Sequence, residues 1–289
     1  MRAEARLRRY MLAPMVTLLL VLTVYPIIYT LVISMTSRKG TSPDSSFIWL
    51  RNFGDLLTDG KFWQATAVTL VFTAAVLTVE ILLGLLVALT LHDLRREHRW
   101  LRALFLLPMA ATPVAVLFGW KVLLDPTLGV LNYVLSEVLH LGRPDWLGTP
   151  NGALATLVMV DVWQWTPFVM VILFGGLANV SAEQIEASLI DGASWAQRVR
   201  YIIVPALRPF LMVALLFRGI DALKTFDSIQ VLTGGGPGSA TTTLNMLAFR
   251  EGLQFLNFGR GAAIALLLLV IATVFGKLAI RFIASEEAV

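Results

Sequence analysis

The stretch VSAEQIEASLIDGASWAQRVRYIIVP, residues Val180–Pro205, is a polar segment of helical character between two long apolar segments. Ser181 precedes Gln184 by three residues, which is the spacing of a capping box, so a helix is predicted to begin there. The Asp191-Gly192 pair is a turn signal inside the helical pattern. We therefore predict a short helix, a bend and a second helix that reaches Pro205. Periodicity alone would also fit an amphipathic loop helix at a membrane surface.

The composition of the rest of the chain is typical of a protein embedded in a lipid bilayer. Of the 289 residues, 57% are hydrophobic and 15% are charged, and the mean hydropathy is +0.76. Soluble domains carry about 25% charged residues. The chain has no Cys and only 3 His, without the paired spacing of a zinc enzyme, so no metal site is expected. The basic residues are spread over loops, so nucleic acid is not an expected partner.

Six apolar segments are long enough to cross a bilayer as helices of about 20 residues. The predicted spans are 11–34, 66–91, 103–124, 153–179, 206–226 and 261–280. Pro108 and Pro113 are expected to kink the third span. The uncharged run from Tyr10 to Ser37 exceeds the apolar part of a signal peptide and is interpreted as the first span. Residues 1–289 are interpreted as a single all-α transmembrane domain.

The distribution of Lys and Arg between the loops predicts the orientation of the chain. One set of loops carries thirteen of these residues: Arg2, Arg6, Arg8, Arg9, Arg95, Arg96, Arg99, Arg102, Arg198, Arg200, Arg208, Lys277 and Arg281. The opposite set carries eight: Arg38, Lys39, Arg51, Lys61, Arg143, Lys224, Arg250 and Arg260. Because cytoplasmic loops are enriched in Lys and Arg, both termini and the 181–205 loop are predicted to be cytoplasmic.

Within Val180–Pro205, several residues resemble the cytoplasmic coupling loop of the membrane subunits of ATP-binding-cassette importers: Glu186-Ala187-Ser188, Asp191-Gly192-Ala193, Ile202 and Val204-Pro205. In that family the loop begins with Glu-Ala-Ala and closes with Leu-Pro, so Ser188 and Val204 are mild departures. Three further segments resemble the maltose-type carbohydrate importer permeases: Asp221–Gln230, Thr233–Gly238 and Thr241–Thr243. The glycine-rich Thr233–Gly238 segment lacks the Lys of a phosphate-binding loop, so no ATP site is predicted.

The resemblance extends from the first span to the sixth and implies an importer-permease fold with a cytoplasmic coupling helix. It implies a non-catalytic, multi-pass subunit of the bacterial cytoplasmic membrane that imports a carbohydrate or related polyhydroxylated solute by alternating access. The implied partners are a second homologous permease subunit, two cytoplasmic ATPase subunits and an extracytoplasmic solute-binding protein. ATP and Mg would be bound by the ATPases, and this chain would hold no cofactor. The residues expected to contact an ATPase are Glu186, Ala187, Asp191 and Gly192.

Charged residues inside the spans point to a solute site, because a charge at mid-bilayer costs at least ~2.5 kcal/mol. At about 1.5 Å per residue, Asp161 and Arg218 lie about 12 and 13 Å from the external ends of antiparallel spans. Asp161 opens the run DVWQWTPF, which combines aromatic rings with hydrogen-bonding groups in a way that suits a sugar. The resemblance to maltose-type permeases includes this run. The predicted solute-binding residues are Asp161, Gln164, Trp165, Phe168, Arg218, Asp221, Ala222 and Thr225.

Several alternatives stay open at this stage. Arg218 could form an ion pair with Asp161 or Asp221 that only holds helices together, and Glu80 could be a structural hydrogen-bonding group. Trp163 and Trp165 could belong to an interfacial aromatic belt. The alternative function is an ion-gradient-driven secondary transporter with Asp161 and Glu80 as ion sites. It predicts inverted repeats, and none is evident. An intramembrane enzyme is a third alternative, which no paired catalytic motif supports.

Overall fold

The computed structural model describes residues 2–40, 45–92 and 100–286. Arg95, Arg96 and Arg99, which contributed to the orientation prediction, lie outside the described residues. Apart from an isolated antiparallel bridge between Thr36 and Phe47, the described residues form helices and loops. The helices are α1 Arg2–Ser34, α2 Arg51–Leu57, α3 Gly60–His92, α4 Trp100–Ala110, α5 Pro113–Leu123, α6 Val130–Tyr133, α7 Pro150–Leu177, α8 Ala182–Ile190, α9 Trp195–Arg198, α10 Val204–Leu223, α11 Asp227–Leu232, α12 Leu244–Phe249 and α13 Phe258–Glu286. The described residues also contain π-helical segments at Val134–Val138, Val199–Ile203 and Arg250–Gln254.

Among the described residues, five helical segments are long and apolar enough to cross a membrane. They are Met11–Ser34, Gly60–His92, Pro150–Leu177, Trp195–Leu223 and Phe258–Arg281. Each of them overlaps one of the predicted spans, so the all-α membrane architecture is confirmed. The side of the membrane on which the termini lie stays a prediction.

The third predicted span, 103–124, differs from the others because it is divided into two helices. α4 and α5 meet at an angle of 92°, and they count as a sixth crossing only if the pair is taken as one span. The bend between the two helices is therefore larger than the proline kink that the sequence predicts. Thr112 precedes Pro113 and is extended, with φ −60 and ψ 123. A residue before proline is disfavoured in the helical region, so the chain leaves the helix there and starts a new one at Pro113.

The chain divides into two compact units, of which the first contains Met1–Trp63 and Leu247–Val270. In this unit the Asn52 side chain donates hydrogen bonds to the carbonyl oxygens of Ser34 at 2.8 Å and Thr36 at 3.0 Å. Arg260 forms an ion pair with Asp59. These contacts fix the segment after α1 against α2 and the start of α13. The side chains of α1 from Met11 onward are largely exposed within the unit, as expected of a helix that faces lipid or another subunit.

The second unit contains Gln64–Met246 and Ile271–Val289, and α7 lies at its centre. α7 packs against α4, α10 and α11. A buried apolar cluster joins these helices to α3: Ala88, Leu91, Val169, Met170, Leu173, Leu177, Leu207 and Ala214. A Cβ atom at Gly84 would lie 2.7 Å from Val169 Cγ1, and one at Gly176 would lie 2.6 Å from Phe210 Cγ. These glycines therefore allow the close helix contacts that hold the site described below.

Candidate functional site

A cavity of about 180 Å³ lies in the second unit, between α5, α7 and the connection from α10 to α11. Its lining residues are Pro113, Leu117, Asp161, Gln164, Trp165, Asp221, Lys224, Thr225, Phe226, Asp227 and Ser228. Five of the eight predicted solute-site residues are among them: Asp161, Gln164, Trp165, Asp221 and Thr225. Two larger cavities of the described residues contain none of the eight. The structure therefore brings most of the predicted site together from two separate segments of the chain.

Behind the cavity wall, Arg218 binds three carboxyl groups at once. Its Nε donates to Glu80 Oε2 at 2.7 Å, and its Nη2 donates to Glu80 Oε1 at 2.8 Å and to Asp161 Oδ1 at 2.6 Å. Its Nη1 donates to Asp221 Oδ2 at 2.7 Å. The side chains of Arg218 and Glu80 are 2% and 0% exposed. Because a buried charge is tolerated only when it is paired and hydrogen-bonded, this network accounts for the buried charges of Glu80, Asp161 and Arg218.

The network joins three helices, since Glu80 lies in α3, Asp161 in α7 and Arg218 in α10. The alternative in which Arg218 pairs with Asp161 or Asp221 thus describes the observed contacts, with Glu80 as a further partner. The same contacts also orient Asp161 and Asp221, both of which line the cavity. A role in holding the helices and a role in shaping the cavity therefore coexist in this arrangement.

Three predicted solute-site residues lie outside the cavity lining. Arg218 is 2% and Ala222 is 1% exposed, and Phe168 is half-buried on α7. Thr225 does not lie on the helix that carries Arg218 and Ala222, because α10 ends at Leu223. The backbone N–H of Thr225 donates to the carbonyl of Ala222 at 3.2 Å, as in a turn. Thr225 reaches the cavity from this turn rather than from the helix.

Two buried polar groups of the cavity lack hydrogen-bond partners among the described residues. They are Gln164 Nε2 and Ser228 Oγ, in side chains that are 4% and 7% exposed. An unsatisfied buried polar group costs about 1–3 kcal/mol. A hydroxyl group both donates and accepts, so it is a chemically suitable partner for either of them.

The two tryptophans of the DVWQWTPF run occupy different environments. Trp165 lines the cavity, and the Arg218 guanidinium carbon lies 5.2 Å from its ring centroid. Trp163 is 43% exposed and makes an edge contact with Trp120, at 5.4 Å between ring centroids. The aromatic-belt alternative therefore suits Trp163 and not Trp165.

Sequence reasoning missed part of the lining, namely Pro113, Leu117, Lys224, Phe226, Asp227 and Ser228. A usable signal was present in the polar run that follows the fifth apolar segment, where Asp227 stands in the first turn of α11. Acidic residues favour helix N-termini, so this run could have been read as a short helix folding back. Among the described residues, no group of three or more His, Asp or Glu is arranged to hold a metal ion.

The 181–205 segment forms the predicted short helix and bend. Ser181 caps α8, and its side chain accepts a hydrogen bond from the Gln184 backbone N–H at 3.4 Å. The bend follows at Gly192, whose φ is +73°. Side chains with a Cβ rarely adopt this conformation. The predicted start of the helix and the position of its turn are therefore confirmed.

The second helix of this segment does not end at Pro205 as predicted. Ser194 and Gln197 form a reciprocal capping box at the start of α9, and the helix continues through the π-helical segment Val199–Ile203 into α10. Pro205 stands at the first turn of α10, where its missing N–H matters little. The π-helical turn accommodates the change in hydrogen bonding, so one continuous helical run extends from Trp195 to Leu223.

The four residues predicted to contact an ATPase are all exposed: Glu186, Ala187, Asp191 and Gly192. Leu189 and Ile190, beside them on α8, are 55% and 87% exposed. Clustered exposed apolar side chains are typical of an interaction surface. We call α8 together with Asp191 and Gly192 the docking turn.

Comparison with known proteins extends these observations. Residues 80–283 match the family model described as the inner membrane component of binding-protein-dependent transport systems. The trehalose/maltose transport system permease protein MalF of Thermococcus litoralis is 39% identical over 272 residues, covering 94% of this chain and 92% of the relative. The trehalose transport system permease protein SugA of Mycobacterium tuberculosis is 36% identical over 281 residues, covering 96% and 89%.

A similar fold occurs in a solved structure of a bacterial alginate ATP-binding-cassette transporter in complex with an alginate pentasaccharide-bound periplasmic protein. The TM-score is 0.83 at 22% identity, and the match covers 96% of this chain and 93% of the other. At this identity the likeness concerns the fold alone. Together with the family match, it confirms the importer-permease fold implied by the resemblance of residues 180–205. This chain therefore belongs to the family of inner membrane components of binding-protein-dependent transport systems, as a multi-pass, non-catalytic permease.

Proposed function

We propose that this chain is one of two membrane-spanning subunits of a bacterial ATP-driven importer for a carbohydrate or related polyhydroxylated solute. Its proposed partners are a second homologous permease, two cytoplasmic ATPase subunits that bind ATP and Mg, and an extracytoplasmic solute-binding protein. Relatives named for trehalose and maltose transport support the carbohydrate class. The proposed location is the bacterial cytoplasmic membrane, with both termini and the docking turn on the cytoplasmic side.

The observation that carries this proposal is the continuous helical run Trp195–Leu223. It begins beside the exposed docking turn, and toward its far end it bears Asp221, which lines the cavity, and Arg218, which pairs with Asp221 from behind the lining. A displacement of the docking turn by an ATPase would therefore be transmitted along one continuous helical run to the solute site. Alternating access then follows as a shift between two conformations, biased by ATP on one side and by the loaded binding protein on the other.

The ion-gradient alternative requires Glu80 and Asp161 as ion sites. Both carboxyl groups accept hydrogen bonds from Arg218, so an incoming cation would compete with a guanidinium already in place. No observation on the described residues favours this alternative over the ATP-driven importer.

A Gly192→Trp variant tests the proposed coupling. Gly192 has a φ of +73° with open space around it, so a tryptophan would strain the turn and block close approach of an ATPase. We expect the assembled complex to lose its ATPase subunits or its solute-dependent ATP hydrolysis, while membrane insertion is unchanged. The matched control is Gly142→Trp, because Gly142 has a φ of +85° and open space but lies in another loop. Normal ATPase retention and uptake in the Gly192→Trp variant would contradict the proposal.

A further inference from the structure

The charges around the cavity are predominantly negative. Three carboxyl groups line it, those of Asp161, Asp221 and Asp227, against the single ammonium group of Lys224. Behind them, Arg218 is paired with the buried Glu80 as well as with two of the lining carboxyl groups. The site thus holds four acidic and two basic side chains. Glu80, Asp161 and Arg218 are buried, so their charges are weakly screened, whereas Asp221, Asp227 and Lys224 are exposed and water screens their charges more strongly.

Arg218 cannot act as the anion-binding residue that its position in the sequence would suggest. Its guanidinium group has five N–H donors, and four hydrogen bonds to carboxyl oxygens already engage its three nitrogens. The side chain is 2% exposed, and Trp165 lies over the guanidinium group at 5.2 Å. A phosphate or carboxylate of a solute would find at most one remaining N–H donor, on a side chain that is buried from the cavity.

The remaining groups of the cavity suit uncharged hydroxyls. Gln164 Nε2 and Ser228 Oγ have no partner among the described residues, and Asp221 is 53% exposed with carboxyl oxygens that can accept from solute hydroxyls. The rings of Trp165 and Phe226 also line the cavity and offer apolar surface to the C–H faces of a sugar. Each of these interactions is available to a neutral polyol and needs no negative charge on it.

We infer that the cavity selects polyhydroxylated solutes without negative charge and rejects those that carry phosphate, sulfonate or carboxylate groups. This inference rests on the proposed function, because it assumes that the solute passes through the cavity. It goes beyond that function by assigning the rejection of anions to named residues. An anionic group in the cavity would be repelled by the carboxyl groups that line it, and a repulsion worth one pKa unit weakens binding about tenfold.

The test measures solute binding to the assembled membrane complex without its binding protein, so that only the cavity discriminates. Two matched pairs of probes are used: trehalose with trehalose 6-phosphate, and maltose with its aldonic acid, maltobionate. We expect each neutral sugar to bind at least about tenfold more tightly than its anionic partner. In an Asp221→Asn variant the difference should narrow by about twofold, because one carboxylate at the cavity is lost and solvent partly screens its charge.

The matched control is Glu137→Gln, which removes an exposed carboxylate paired with Arg143 on a loop outside the cavity and should leave the difference unchanged. If the anionic sugars bound as tightly as the neutral ones or more tightly, the inferred selectivity would be wrong, but the proposed solute site would stand. The same would follow if the Asp221→Asn variant showed the same difference in affinity as the wild type. If none of the four sugars bound, both the inferred selectivity and the proposed solute site would be wrong. The two failures are therefore distinguishable.

Discussion

Replacing Arg218 with methionine removes the cation that three carboxyl groups share within the membrane spans. The side chains of Glu80 and Asp161 are 0% and 7% exposed, so both would be left buried without a counter-charge. Asp221 is 53% exposed, and solvent screening makes its contribution small. Removing one partner of a buried ion pair costs about 3–5 kcal/mol. Because the two buried carboxyl groups share a single guanidinium group, we expect the Arg218→Met substitution to lower the free energy of unfolding by about 3–5 kcal/mol in total.

The measurement is the thermal melting of the purified complex in detergent, followed by size-exclusion chromatography after heating. At about 2–4 °C per kcal/mol for a domain of this size, the Arg218→Met variant should melt roughly 6–20 °C below the wild type. A triple variant that adds Glu80→Gln and Asp161→Asn should recover most of the loss, since neutral side chains avoid the cost of unpaired buried charge.

A control within the same network is Arg218→Lys, which keeps the charge but loses the paired hydrogen bonds to Glu80. It should melt between the wild type and Arg218→Met. The reasoning would be refuted if Arg218→Met melted within about 2 °C of the wild type, or if the triple variant were no more stable than Arg218→Met alone.

Three further predictions concern helix packing, orientation and the docking turn. Gly176→Ala should destabilise the protein because a Cβ there meets Phe210 and Leu207, whereas Gly175→Ala, with open space, should stabilise it by about 0.5–1 kcal/mol in a melting assay. The chain has no Cys, so a single introduced Cys reports its own position. An Ile190→Cys variant should react with impermeant thiol reagents only from the cytoplasmic side, and a Leu128→Cys variant only from the external side. Labelling of both from one side would contradict the predicted orientation. Ser194→Ala removes the capping box of α9 and should cost about 1 kcal/mol and reduce ATP-driven uptake; unchanged uptake and melting would show that this cap is unimportant.

The sequence was most informative where a local rule determines the backbone. The capping residue Ser181 and the turn at Asp191-Gly192 needed only local spacing, and both occur in the structure. The long apolar spans were also predictable, because their lengths follow from bilayer thickness. The right-angle break before Pro113 was not, since a proline indicates a break without specifying its angle.

The position of the candidate solute site was predictable in part, because charged and aromatic residues inside apolar spans indicate it. Asp161, Gln164, Trp165 and Asp221 line the cavity as predicted. The role of Glu80 could not be derived, since its contact with Arg218 joins positions 138 residues apart and depends on how α3 meets α10. The turn that brings Lys224 and Thr225 to the cavity depends on the end of α10 at Leu223, which neither a proline nor a glycine marks.

The initial rate of trehalose or maltose uptake tests the central claim most directly. It would be measured in proteoliposomes that contain the complex of this chain with its partner permease and ATPases. We expect uptake only when ATP is present inside the vesicles and the loaded binding protein outside, with no effect of proton or sodium ionophores. Uptake driven by an imposed ion gradient in the absence of ATP would contradict it.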